Sequence, residues 1–286
     1  MEGALMRLQR KGVANAERVR ELVDSAFATR YHDLEGTLKT ASMAVVLAEE
    51  KRSELPTDLI VAAWTEYGNA LRMAGRYEEA ERALERAAAE PTSDLPTRTH
   101  LLEVTASLHR NTGRFESAVH ILHSAIEAEK SVGNTDAAAR HHNHLGLVYE
   151  DMGDRPHALR AFKTALDLFG PDAPLDVVAS TGHNLVKTLI ADGRLSAAAA
   201  GLALLEPLYR RLTSVRLAAK VEWMRARLCR ELQQLHAAKL AYERAYELLI
   251  TEPRSPELAT LVKEMTELEA AMNKSPVSSE AETERE

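Results

Sequence analysis

Three of the eleven histidines in this 286-residue chain fall in one run, His141-His142-Asn143-His144, and these are the side chains best suited to ligate a metal or carry a proton. On a helix, His141 and His144 lie three residues apart and share a face, so they could act as a pair of ligands. Two imidazoles without a supporting Cys or carboxylate make a poor zinc site, which takes three or four protein donors. The run is therefore expected to be structural, with His142 packed between helices, and neither a metal nor a cofactor is expected. The one cysteine, Cys229, cannot make an intramolecular disulfide, and a free thiol commonly behaves as a small buried hydrophobe. The chain has no Gly-rich phosphate loop, no Gly-x-Ser-x-Gly elbow and no His-Glu-x-x-His pair, so no enzymatic activity is expected.

A second group suits recognition rather than reaction. Trp223, Arg227 and Arg230 are spaced to share one side of a helix, while Val221, Met224, Leu228 and Leu232 follow the apolar spacing expected to face its neighbours. Trp and Arg are enriched among residues that dominate binding energies.

Positioning either group requires helices, and the composition provides for them. Hydrophobic residues make up 45% of the chain and aromatics only 5%, so the apolar content is mostly Leu, Ala and Val, which favours close-packed helices over β-sandwich cores. The formal net charge of −7 argues against general binding to nucleic acid or to an anionic membrane. The start, MEGALMRLQRKGVANAERVRELV, carries charges throughout and has no apolar run of signal-peptide length. The stretch SAAAAGLALL (196–205) is too short to span a bilayer, which needs roughly 20 apolar residues. With the single cysteine, this points to a cytoplasmic protein.

The helices repeat. The frame Gly75, Ala80, Leu84, Ala87 returns as Gly113, Ala118, Leu122, Ala125, then as Gly153, Ala158, Phe162, Ala165. It returns again as Gly193, Ala198, Leu202, Leu205, and last as Gln233, Ala238, Tyr242, Ala245. Each copy reads as a helix, a tight turn whose Gly supplies a left-handed backbone, and a second helix whose small residues let a neighbour approach. A weaker copy precedes these, with helices near 16–29 and 33–50. A segment from Glu257 to Met272, with Leu258, Leu261, Met265 and Leu268 on one side, reads as the capping helix that closes a stack of repeats. It follows Pro253-Arg-Ser-Pro256. The expected organisation is an N-terminal extension (1–15), a repeat domain (16–272) and a disordered acidic tail (273–286).

These features resemble the tetratricopeptide repeat (TPR), whose pattern is Trp-x2-Leu-Gly-x2-Tyr followed by Ala-x3-Phe and a Pro. Trp64-x2-Tyr67-Gly68-x2-Leu71, Ala80-x3-Leu84 and Pro91 fit it, as do Leu145-Gly146-x2-Tyr149, Ala158-x3-Phe162 and Gly170-Pro171. Ala106, Val186 and Ala226 stand where the Gly of the first helix would be. The resemblance implies an all-α fold, a right-handed superhelical α-solenoid of about six TPR-like helix pairs with a C-terminal capping helix. It is also similar to long-helix arrays of bacterial regulators and scaffolds.

In this family the first helix of each pair lines a concave surface. With Trp64, Tyr67, Gly68 and Leu71 packed, helical spacing puts Thr65, Asn69 and Arg72 on the free edge. Stepping by the repeat adds Arg110, Asn143, His183, Lys187, Trp223, Arg227 and Arg230, and Arg140 and Lys220 lie beside them. The expected function is a non-enzymatic module that binds an acidic or extended peptide segment of a partner protein in this groove, as a monomer or weak homo-oligomer. The alternative is a peptide-sensing protein that regulates a transcriptional or signalling partner.

Overall fold

A computed structural model describes residues 2–30, 33–212, 215–251 and 257–274. The Pro253-Arg-Ser-Pro256 segment and the tail from residue 275 lie outside the described residues. The described residues form thirteen α-helices, one 3-10 turn and no strand, and no described helix is long and apolar enough to cross a membrane. The chain divides into two compact units, Met1–Met152 and Gly153–Glu286.

The first unit holds α1 (Glu2–Thr29), α2 (Leu34–Glu50), α3 (Thr57–Met73), α4 (Tyr77–Ala88), α5 (Leu95–Asn111), α6 (Phe115–Ser131) and α7 (Thr135–Asp151). The second holds α8 (Arg155–Leu168), α9 (Leu175–Ala191), α10 (Leu195–Arg211), α11 (Val215–Glu231), α12 (Leu235–Leu249) and α13 (Glu257–Lys274). In chain order this is six successive helix pairs and a closing helix. Residues 2–15 are part of α1, and residues 273 and 274 are part of α13.

Local chemistry sets the helix ends. Asp33, Asp94, Asn134 and Asp154 accept from backbone N–H groups three residues on, satisfying donors that the first turn of a helix leaves unpaired. At the turns, Gly75, Gly113, Gly153 and Gly193 take φ between +73° and +78°, and Gln233 takes +60° in the slot where the repeat frame places it. Gln233 closes α11 as the glycines close their helices: its N–H donates to Arg230 and the Gln234 N–H donates to Cys229, while Gly193 and Arg194 donate likewise to Ile190 and Leu189.

The repeated small residues are buried where helices meet. Ala80, Ala118, Ala158, Ala198 and Ala238 have no exposure, and Leu84, Leu122, Phe162, Leu202 and Tyr242 fill the core above them. A Cβ on Gly68 would sit 2.7 Å from Leu84, so the glycine is needed for α3 to approach α4. In the second unit the same contact is solved in reverse. Val186 replaces the glycine on α9, and the facing residue on α10 is Gly201, whose own Cβ would lie 2.8 Å from the Val186 methyl. Leu205, where other copies have Ala, occupies the space over Gly182, and a Cβ there would collide with it. A large residue on one helix thus meets a glycine on the other at both contacts. Leu232, by contrast, is exposed, because α11 ends before it.

Candidate functional site

In the second unit, α9 and α11 place His183, Lys187, Lys220, Trp223, Arg227 and Arg230 around one cavity of about 580 Å3. Val221, Met224 and Leu228 turn the other side of α11 into the core, and this aims the intervening residues at the cavity. Arg155 of α8 also lines it, with Ile190, Ala191 and Met224 as apolar wall and Glu231, Glu257 and Glu264 as acids. Five cations face three carboxylates, so the cavity is basic within an acidic chain.

Glu264 of α13 is the most heavily bonded group at this site. It accepts from the Trp223 indole N–H at 2.8 Å, from Arg227 Nε at 3.0 Å and Nη2 at 2.5 Å, and from the Tyr242 hydroxyl at 3.0 Å. Arg227 also lies 4.7 Å from the centre of the Trp223 ring. Burial opposes the charge on Glu264, but the hydrogen bonds from Arg227 and Trp223 outweigh it and hold the carboxyl below its ordinary range. Trp223 therefore packs between α12 and α13 rather than standing free, and its polar edge is engaged within the chain. Glu264 was legible as an anomaly, since a carboxylate between Leu261 and Leu268 on one helical stripe must find a partner.

The remaining groups have looser partners. Lys220 Nζ lies 3.9 Å and Arg216 Nη2 3.8 Å from Glu257, and Arg230 Nε lies 3.7 Å from Glu231. His183 is pushed down to about 3, first by burial and then by the charges of Lys220, Lys187 and Arg227, so the imidazole is neutral. The cavity thus presents positive charge beside a neutral ring.

The first unit holds the other residues expected on the concave face. Thr65 is fully buried and its hydroxyl donates to the Val61 carbonyl, a correction to its expected place on a free edge: it lies one turn after Val61, on the face that packs. Asn69 is also buried, and its side-chain oxygen accepts from Arg72 at 2.8 Å, while Arg72 also donates to Asn111. Arg110 pairs with Asp151 at 2.5 Å. Asn143 is half-buried, and Arg140 is exposed near the carboxylate of Glu103.

The histidine run resolves differently from expectation. His141, not His142, is fully packed, because it shares the buried face of α7 with Leu145 and Val148. His144 Nε2 lies 3.3 Å and His141 Nδ1 3.5 Å from Glu103, and His100 Nε2 lies 2.6 Å from Glu66. Among the described residues, no group of three or more His, Cys, Asp or Glu is placed to hold a metal ion. Burial pushes His141 down to about 4. For His100, burial works the same way, but the hydrogen bond and charge of Glu66 prevail and raise it. Cys229 is half-buried, and burial raises its thiol, which makes it a poor nucleophile.

Helix pairs that close on left-handed turns and pack through alternating small and large residues define a helical-repeat protein of the tetratricopeptide class. The model of the soluble NSF attachment protein (SNAP) family matches residues 35–188, and the chain belongs to that family. Among solved structures, apo RapI aligns at a TM-score of 0.68 with 13% identity, covering 89% of this chain and 72% of that one. A Rap protein complexed with competence and sporulation factor aligns at 0.64 with 13% identity, over 91% of this chain and 72% of the other. A Podosopora anserina kinesin light chain of nearly identical TPR-like repeats aligns at 0.58 with 15% identity, over 70% of this chain and 99% of the other. These likenesses show the fold, an α-solenoid of TPR-like helix pairs. No curated protein sequence matches significantly.

Proposed function

We propose that the protein is a non-catalytic interaction module and that the cavity of its second unit receives an acidic, extended segment of a partner protein. The observation that carries this reading is the convergence of Arg155, Lys187, Lys220, Arg227 and Arg230 on one cavity with an apolar wall of Ile190, Ala191 and Met224. Side-chain carboxylates would pair with the cations, and an adjacent apolar residue would cover the wall. The concave groove expected from the sequence is thereby narrowed to the α9 and α11 face.

The test is titration of an acetylated hexapeptide, Glu-Leu-Glu-Glu-Leu-Glu, against the full chain, with the Gln-for-Glu peptide as control. The acidic peptide should bind, the control should not, and affinity should fall with ionic strength. The double variant Lys187→Glu, Arg230→Glu should bind at least tenfold more weakly with unchanged circular dichroism. Equal affinity for the two peptides, or for the variant, would refute the site.

A second reading makes the bound peptide a signal that alters the protein's action on a transcriptional or signalling partner. It is favoured by the likeness to a Rap protein that was solved with competence and sporulation factor. Small-angle scattering with saturating peptide separates the readings, because a sensor changes conformation with its ligand and a rigid adaptor does not.

A further inference from the structure

Two of the cavity's three acids, Glu257 and Glu264, are supplied by its own closing helix, and Glu231 ends α11. On α13, Glu257, Leu261, Glu264 and Leu268 follow one another at steps of four, three and four, so all four share a face. Leu261 and Leu268 are buried against α11 and α12 and fix the helix in place. The two carboxylates meet the cavity's cations at different distances. Glu264, with 14% of its side chain exposed, is held by four donors and acts as the anchor that orients Trp223 and Arg227. Glu257 lies 3.9 Å from Lys220 and 3.8 Å from Arg216, near the outer limit of an ion pair, and the Lys220 side chain is 36% exposed. A pair this long and wet contributes little, so Lys220 can turn to another acid at small cost.

We propose that Glu257 is a built-in competitor for the cavity's ligand. It holds Lys220 in the empty state, and an arriving carboxylate takes Lys220 from it. The inference rests on the reading of this cavity as a receptor for acidic segments. Affinity is then set by exchange of one cation between an internal and an external acid, which lowers it for ligands carrying a single carboxylate more than for those carrying two.

The test uses the same Glu-Leu-Glu-Glu-Leu-Glu peptide and the full chain. Glu257→Gln removes the competing charge and should tighten binding about three- to tenfold. Lys220→Met should weaken binding, and in the Lys220→Met background Glu257→Gln should have no further effect, because the contested cation is gone. Circular dichroism of each variant confirms folding. Binding that is unchanged or weaker in Glu257→Gln, or a gain of the same size with and without Lys220, overturns the competitor. Failure of the wild type and every variant to bind the peptide overturns the receptor reading itself, so the two failures are distinct.

Discussion

Replacing Gln233 by glycine should stabilise the protein, although the substitution removes a side chain. Gln233 is the one residue other than glycine with positive φ among the described residues, at +60°, where its four counterparts are glycines. A left-handed backbone costs an L-residue about 1–2 kcal/mol. Glycine removes that cost but restores freedom to the unfolded chain, which returns up to about 1 kcal/mol. The side chain of Gln233 is exposed, and the closing bonds at this turn are backbone to backbone, so nothing else is lost. The net expectation is a gain of about 0.5–1 kcal/mol, or a rise of about 1–4 °C in the thermal midpoint. The mirror experiment is Gly193→Gln in the same unit. A Cβ on Gly193 would meet no atom within 4 Å, so its cost is conformational alone and should be of similar size and opposite sign. Urea denaturation followed by circular dichroism measures both. A neutral or destabilising Gln233→Gly together with a neutral Gly193→Gln would show that these turns are not left-handed and that the repeat frame is misplaced.

Two further outcomes follow from the packing. Gly182→Ala should cost about 1–3 kcal/mol because its methyl collides with Leu205, and Leu205→Ala should relieve that collision, so the pair is non-additive in denaturant unfolding; simple additivity would contradict the contact. Stability should fall as pH drops from about 6.5 to about 4: burial depresses His141, so over this window the unfolded chain takes up a proton that the folded chain refuses. The loss from this 2% exposed group is on the order of 3 kcal/mol. A His141→Gln variant should show a correspondingly shallower decline in its pH profile, and an unchanged slope would place the proton uptake elsewhere.

The lining of the cavity follows in part from helical period. Lys220 and Arg230 share one side of α11 because that helix buries Val221, Met224 and Leu228 on the other, and Lys187 of α9 lines the same cavity. Thr65 and Asn69 sit on a first helix of the same kind, yet α3 is packed on both sides and buries them, so a free edge inferred from period in one repeat does not transfer to another. Trp223 and Arg227 line the cavity and are also bound by Glu264, a residue 37 positions beyond Arg227 that no spacing rule connects to it. His141 took the packed place expected for His142 because Leu145 and Val148, not the repeat slot, define the buried face of α7.

The sequence by itself determined the helices, their order and their turns. Those depend on local chemistry: the 3.6-residue period, side-chain caps at Asp94 and Asp154, and a left-handed residue at each closing turn, which the frame located even where Gln233 replaces glycine. Only the tertiary structure decided how departures from the pattern are absorbed. Val186 looks like an error until Gly201 is seen facing it, and Leu205 looks oversized until Gly182 is seen beneath it. The same holds for charge, since Arg227 is a surface cation in the sequence and becomes the partner of Glu264 once α13 folds back on α11. Volume and charge are balanced between residues far apart in the chain, and only their spatial meeting states which one balances which.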